Sequence, residues 1–251
     1  MRAPAPTVPW RLRRLAVCAS TERELERWLA AGASAGVQGG QRLAVLARHQ
    51  RHGQGQQGRI WLAPVGGVWL SAALPWPERQ GAALGLAVAV GVALQLERLG
   101  LEPRIKWPND LLLGGRKLAG LLPRLRLRGE RVRWAQVGLG LNGVNRVPAG
   151  AINLATALAG LPAGPGAGRW RPWHPQAVPR RLLPLVLAGL DWAVAQADEP
   201  TLVRAQAEAR LWRPAEGVQL AGQPWQVEGL EIDGGLRLRR GALLTRVHRQ
   251  F

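Results

Sequence analysis

Two glycines, Gly114 and Gly115, separate the apolar run 111–113 from the outgoing run 118–127, and that spacing constrains the chain more than any other feature. A two-residue loop that must accept positive φ closes a β-hairpin, and glycine adopts such angles without steric cost. The hairpin sets an antiparallel register and folds Lys117 back toward Asp110. Segments 104–107 before it and 131–141 after it also read as strands, so an antiparallel sheet organises this part of the chain. Segment 131–141 ends in Gly138-Leu139-Gly140-Leu141-Asn142, where missing side chains let another group approach the backbone closely.

The remaining periodicities fill in an α+β pattern. Residues 20–31 start with the cap-type Ser20 and Thr21, carry Glu in the first turn and place Leu25, Trp28 and Leu29 on one face, as a helix does. A strand over 43–47 runs into a glycine-rich loop, 48–59. Segments 60–63 and 68–74 read as strands joined at 64–67 and are expected to pair as a hairpin. Residues 81–99 form an apolar, small-residue helix, too short for the ~20 apolar residues of a membrane span. A Pro- and Gly-rich loop over 161–179 leads to helices over 180–196 and 199–212. Short strands over 217–220, 223–230, 236–239 and 241–247 suggest a small barrel that leans on the larger unit. The expected organisation is an N-terminal tail (1–14), a catalytic unit (15–212) and a C-terminal barrel (213–251).

Composition narrows the function. At 251 residues and 47% hydrophobic content the chain can bury a sizeable core. One cysteine, Cys18, excludes an internal disulfide framework and fits a cytoplasmic location. The formal charge of +18 suits a phosphate-bearing substrate or an acidic partner. It also suits nucleic acid, but the Arg are scattered, without a basic helix or zinc-ligand spacing, so no DNA partner is expected. His49 and His52 lack further ligands at useful spacing, and no metal site is expected from protein side chains.

Of the 34 basic residues only two, Lys106 and Lys117, are Lys. Both fall in one short stretch, which points to positions where a compact ammonium is needed rather than a planar fork. All four Asn (Asn109, Asn142, Asn145, Asn153) lie between 109 and 153. The latter two also suit ordinary turns and caps. The loop holding Gly53, Gly55 and Gly58, with Arg48, Arg51 and Arg59 around it, can turn backbone N–H groups toward an anion. A solvated hairpin loop has the same composition, and neither a Walker pattern nor a dinucleotide fingerprint is present. Such equipment suits catalysis by positioning and charge stabilisation.

The run Lys106-Trp107-Pro108-Asn109-Asp110, followed after six residues by Lys117-Leu118-Ala119-Gly120, closely resembles the signature of biotin protein ligases. The Ser20-Thr21 helix start, the 53–59 loop, Gly66-Gly67-Val68-Trp69-Leu70-Ser71, the 138–142 strand end and the C-terminal strands follow in the family's order. The resemblance implies a mostly antiparallel sheet flanked by helices, of the class II aminoacyl-tRNA synthetase and biotin ligase type, with a small SH3-like C-terminal barrel. It implies the monofunctional form, since fourteen residues ahead of it cannot form a winged helix-turn-helix. It also implies formation of biotinyl-adenylate from biotin and ATP with Mg²⁺. Transfer to a lysine of a biotin carboxyl carrier protein, typically that of acetyl-CoA carboxylase, would follow.

Residue roles carried by the resemblance place Ser20, Thr21, Glu22, Gln50, Gln54, Gly55, Gln56 and Lys117 on biotin, with Trp61 walling the pocket. Gly53, Gly58, Arg59, Lys106, Trp107, Asn109 and Asn142 would serve ATP and the adenylate. Lys117, Asp110 and Arg59 would be catalytic. One departure stands out: the family loop is usually Gly-Arg-Gly-Arg-Arg-Gly, whereas Gln54, Gln56 and Gln57 stand at its Arg positions, and Glu22 stands where Asn is common. Alternative readings are a lipoate or octanoate ligase of the same superfamily and a non-catalytic basic nucleic-acid binder.

Overall fold

The computed structural model describes residues 9–77, 81, 83–160 and 174–248. Chain order runs β1 (Trp10–Cys18), α1 (Thr21–Trp28), a π-helical turn, α2 (Ser34–Gln38), β2 (Arg42–Gln54), β3 (Ile60–Ala63), β4 (Val68–Leu74) and α3 (Leu84–Glu97). It continues through β5 (Arg104–Lys106), β6 (Asp110–Leu113), β7 (Arg116–Arg128), β8 (Arg131–Leu141), α4 (Leu154–Ala159), α5 (Pro179–Ala195) and α6 (Pro200–Ala209). Four short strands close it: β9 (Val218–Leu220), β10 (Gln223–Leu230), β11 (Leu236–Arg240) and β12 (Leu243–Val247).

The main sheet has the order β1-β2-β4-β8-β7-β6-β5, with β3 on β2 outside this path. Only the β1–β2 pair is parallel; the other ladders are antiparallel. Side-chain alternation assigns the two faces. On β2, Leu43 and Val45 pack with Leu25 and Trp28 of α1 and Leu29 of the π-helical turn, whereas Ala44 joins the larger core with α3 and α5. The sheet therefore carries α1 on one face and the α3, α5, α6 layer on the other. Helix α3 is apolar on nearly all sides because it is enclosed on nearly all sides, with eleven buried residues over its length. Its approach to α5 depends on two glycines: a Cβ on Gly91 would sit 2.0 Å from the Gly189 carbonyl oxygen.

Three expectations change. Strands β3 and β4 do not pair with each other; β4 pairs with Leu43–Ala47 of β2 and with β8, while β3 pairs with the far half of β2. The connection between them docks elsewhere: Val144 N–H donates to Gly66 O at 2.8 Å, and Trp69 Nε1 donates to Pro64 O at 2.7 Å. Strand β2 continues to Gln54, so the expected 48–59 loop shrinks to a turn around Gln56–Gly58, closed by Gly55 N–H to Arg59 O at 2.8 Å. Residues 10–14, assigned to a tail, belong to edge strand β1, whose Arg-rich outer positions disguise its apolar Trp10, Leu12 and Leu15.

Strands β9 to β12 form an antiparallel meander in the order β12-β11-β10-β9, and no pairing among the described residues closes β12 onto β9. An SH3-like closure is thus not part of the observed ladders. Leu230, Leu236 and Leu238 of this sheet belong to the same core cluster as α3. Of the loop expected at 161–179, residues 161–173 lie outside the described residues.

Candidate functional site

Because Ser71 alternates with Ala72 and shares a face with Ala73, the face of β4 that packs on α1 continues past the start of that helix into open space. A cavity of about 380 Å³ lies there. Its wall contains thirteen of the expected residues: Ser20, Thr21, Glu22, Gln50, Gln54, Gly55, Gln56, Arg59, Lys106, Trp107, Asn109, Asp110 and Lys117.

The α1 end is built from capping geometry. Ser20 has extended backbone angles and its Oγ accepts from Glu22 N–H at 3.2 Å, as an N-cap does. Thr21 is the first helical residue; its N–H and Oγ1 both reach Gln50 Oε1, at 2.7 and 3.0 Å, and its Oγ1 lies 2.8 Å from Ser71 Oγ. Gln50 spends its carbonyl oxygen on Thr21 and keeps its amide nitrogen to donate. Glu22, beside them, is ion-paired to Arg124 at 3.0 Å.

At the opposite end stands the Lys117–Asp110 pair, Nζ to Oδ1 at 2.7 Å. The glycine turn alone does not produce it. Asp110 lies opposite Gly120, and in a regular strand Lys117, three residues away, would face the other side of the sheet. The ladder slips by one residue, pairing Leu111 with Ala119 and Leu112 with Lys117, so Leu118 is an extra, bulged residue. That bulge turns Lys117 onto the face of Asp110 and Gly120. Asn109 ties the preceding turn to β7, donating Nδ2 to Leu121 O at 2.6 Å while its own carbonyl accepts from Leu121 N–H.

Trp61 forms the floor between the two ends. Gly120 and Gly140 are paired across β7 and β8, and the indole rests on both: a Cβ at Gly140 would lie 2.5 Å from its Cε2, and one at Gly120 2.8 Å from its Cζ3. The close approach expected at 138–142 is therefore made by the protein's own tryptophan. Lys117 Nζ stands 5.1 Å above this ring, within cation–π range. Lys106 Nζ stacks 5.3 Å from Trp212, and Trp107 Nε1 donates to Gly234 O at 2.8 Å, so the C-terminal sheet supports this wall.

Three expected residues are not in the wall. Asn142 is buried and engaged in the turn after β8: its Nδ2 donates to Ile152 O at 3.2 Å and its Oδ1 accepts from Asn145 Nδ2 at 3.1 Å. Asn145 and Asn153 hold the same turn, and Asn153 caps α4 through Thr156 N–H at 2.9 Å. Gly53 lies where a Cβ would strike Trp61 O at 2.5 Å, and Gly58 has φ +71°, so both act on backbone shape. Of the three Arg expected around the loop only Arg59 reaches the wall. Reading the sequence missed Gly120 and Leu122, whose signal was their register opposite the glycines of β8.

Among the described residues no three His, Cys, Asp or Glu side chains converge as a metal site. The two carboxylates of the cavity, Glu22 and Asp110, are tied to Arg124 and Lys117. With both carboxylates already ion-paired, a Mg²⁺ ion arriving with ATP would be held by phosphate oxygens and water.

Residues 38–142 match the model of the Biotin/lipoate A/B protein ligase family. Over 116 residues the chain is 40% identical to the biotin–[acetyl-CoA-carboxylase] ligase of Paracoccus denitrificans, covering 43% of this chain and 47% of that protein. Over 108 residues it is 38% identical to the bifunctional ligase/repressor BirA of Bacillus subtilis (41% and 33%). The match thus spans less than half the length of these curated relatives. The fold is shared with the Aquifex aeolicus biotin protein ligase in complex with biotin and ATP, at TM-score 0.70 and 21% identity over 94% of this chain and 95% of that one. The Leishmania major ligase in complex with biotinyl-5-AMP gives 0.62 and 19% over 98% and 100%. The Lys-Trp-Pro-Asn-Asp run and the bulged Lys117 strand both lie within the segment that is similar to the Biotin/lipoate A/B protein ligase family, a segment that spans less than half of this chain.

Proposed function

We propose that this cavity joins biotin to ATP and then passes the biotinyl group to a lysine of an acceptor protein. The observation that carries the reading is the Lys117–Asp110 pair facing Trp61, with hydrogen-bonding groups of Ser20, Thr21 and Gln50 at the far end. A carboxylate and an α-phosphate repel each other, and bringing them together in a partly desolvated site needs a cation between them. Lys117 supplies it.

In the first step a biotin carboxylate oxygen attacks the α-phosphorus of ATP and pyrophosphate leaves with the bonding electrons of the broken P–O bond. Ser20, Thr21 and Gln50 hold the ureido end, and the Trp61 indole sets the floor along which the acid lies. Arg59, Lys106 and Trp107 line the nucleotide side, and Gln54, Gly55 and Gln56 cover the adenylate. Mg²⁺ bound to the phosphates supplies charge neutralisation of the leaving pyrophosphate. In the second step the ε-amine of an acceptor lysine attacks the acyl carbon, AMP departs with the electrons of the acyl–oxygen bond, and Asp110 orients the incoming amine. The acceptor is a biotin carboxyl carrier domain, as in acetyl-CoA carboxylase, and the reaction is placed in the cytoplasm. No helix among the described residues is long and apolar enough to cross a membrane.

Biotin-dependent exchange of labelled pyrophosphate into ATP tests the reading directly. Exchange with biotin and none with lipoate or octanoate is expected. Exchange driven by lipoate instead would assign the sister activity, and no exchange with any of these acids would overturn adenylation altogether.

A further inference from the structure

Helix α1 is joined to the sheet by a continuous line of polar contacts that the reaction chemistry does not use. Glu22 and Glu26 are one helical turn apart on α1. Arg124 and Arg126 are two residues apart on β7, on one face of the strand. The repeats match, about 6 Å for four helical residues and about 6.6 Å for two strand residues. Arg124 Nη1 donates to Glu22 Oε1 at 3.0 Å, and Arg126 Nη2 donates to Glu26 Oε1 at 2.5 Å. Gln136, opposite Arg124 on β8, completes the line: its Oε1 accepts from Arg126 Nε at 2.9 Å and its Nε2 donates to Glu22 Oε1 at 3.4 Å.

The two ends of this line differ in burial. The difference lies in the acceptors: the Glu22 side chain is 12% exposed and Gln136 is 1% exposed, whereas the Glu26 side chain is 46% exposed, while Arg124 and Arg126 are alike at 38% and 34%. The inner pair thus lies where solvent screens it less, next to the cavity. Glu22 itself lines the cavity, directly after Ser20 and Thr21; Arg124, Arg126 and Gln136 do not. On its other side the first turn of α1 is held through Thr21, by Gln50 and Ser71. Two fastenings on opposite sides set how far Ser20 and Thr21 project into the cavity.

We propose that Arg124, acting through Glu22 and braced by Gln136 and Arg126, is a positioning residue that sets the α1 end of the cavity for the ring system of the acid substrate. This rests on the biotin-ligase reading of the cavity. Arg124 contacts neither the Lys117–Asp110 end nor the nucleotide side, so its loss acts on one substrate and not the other.

Steady-state exchange kinetics of Arg124→Met, Arg124→Lys and Arg126→Met test this. In Arg124→Met the KM for biotin rises about tenfold, from loss of one charge-assisted hydrogen bond in a partly exposed setting, while kcat and the KM for ATP stay within about twofold. Arg124→Lys recovers most of the biotin KM because one donor still reaches Glu22, and Arg126→Met, whose partner Glu26 is more exposed and lies farther from the cavity, gives a smaller rise. An unchanged biotin KM in Arg124→Met overturns the proposal, as does a parallel change in ATP KM and kcat, or failure of lysine to restore. Wild-type protein without biotin-dependent exchange would instead overturn the functional reading on which the proposal rests.

Discussion

Replacing Gly140 by alanine places a methyl carbon 2.5 Å from Cε2 and 2.6 Å from Cζ2 and Nε1 of Trp61. Non-bonded carbons prefer about 3.5–4.0 Å, so the indole must rise by roughly 1 Å. The backbone cannot retreat, because Gly140 is paired on both sides, to Trp69 and to Gly120. The ring therefore moves toward Lys117 and into the cavity. Overpacking of this kind costs about 1–3 kcal/mol. For a chain of this size that corresponds to a fall in Tm of roughly 2–12 °C. The catalytic effect should be larger than the loss of stability, since a displacement of ~1 Å in a positioned group can lower a rate about 100-fold. Gly138→Ala, two residues earlier on the same strand, is the control: its nearest neighbour is Leu122 Cβ at 3.3 Å, which needs only a small shift. Differential scanning fluorimetry and biotin-dependent pyrophosphate exchange on both variants give the answer. Exchange in Gly140→Ala within about threefold of wild type, or equal losses in the two variants, would refute the argument that Gly140 exists to seat Trp61.

Three further outcomes are expected. Lys117→Arg keeps the charge but cannot place a compact ammonium between Asp110 and Trp61, so exchange should fall about 10²–10³-fold; wild-type exchange would remove Lys117 from the reacting centre. Restoring arginine at Gln54, Gln56 and Gln57 together should lower the ATP KM about tenfold and cut the free biotinyl-adenylate measured by chromatography during turnover. A triple variant that releases as much adenylate as wild type would show that Arg59 already suffices. Burial, reinforced by the carboxylate of Glu24, pushes the Cys18 thiol up, so little thiolate exists near neutral pH. A thiol reagent should then label native protein at least about tenfold more slowly than unfolded protein, and equal rates would contradict the burial.

Much of this architecture was legible because its determinants are local. The Gly114-Gly115 turn, the Ser20 cap and the apolar run of α3 each specify their element from within a few residues. What stayed hidden depends on partners distant in sequence. Residues 64–67 look like a hairpin turn, yet Gly66 is shaped by Val144 and Asn145, so β3 and β4 part company. The bulge at Leu118 leaves no mark in composition, although without it Lys117 would face away from Asp110. Asn142 sits in the motif that suggested a ligand contact, but the turn after β8 claims its side chain, through the Ile152 carbonyl and the Asn145 side-chain amide. Arg124 drew no attention as one arginine among many, because its meaning comes from Glu22 across the sheet.

The hydrogen bond from Trp107 to Gly234 has a consequence for how the chain can be divided. Sequence periodicity places a border near residue 213, yet Leu230, Leu236 and Leu238 sit in the same apolar cluster as α3, and Gly234 packs where a side chain would meet Ala83. Excising the last four strands would remove the support behind Trp107 in the cavity wall and bare a greasy flank of α3. The two pieces should be poorly soluble alone and regain a common fold only when recombined. Heating the intact chain should melt both in one transition.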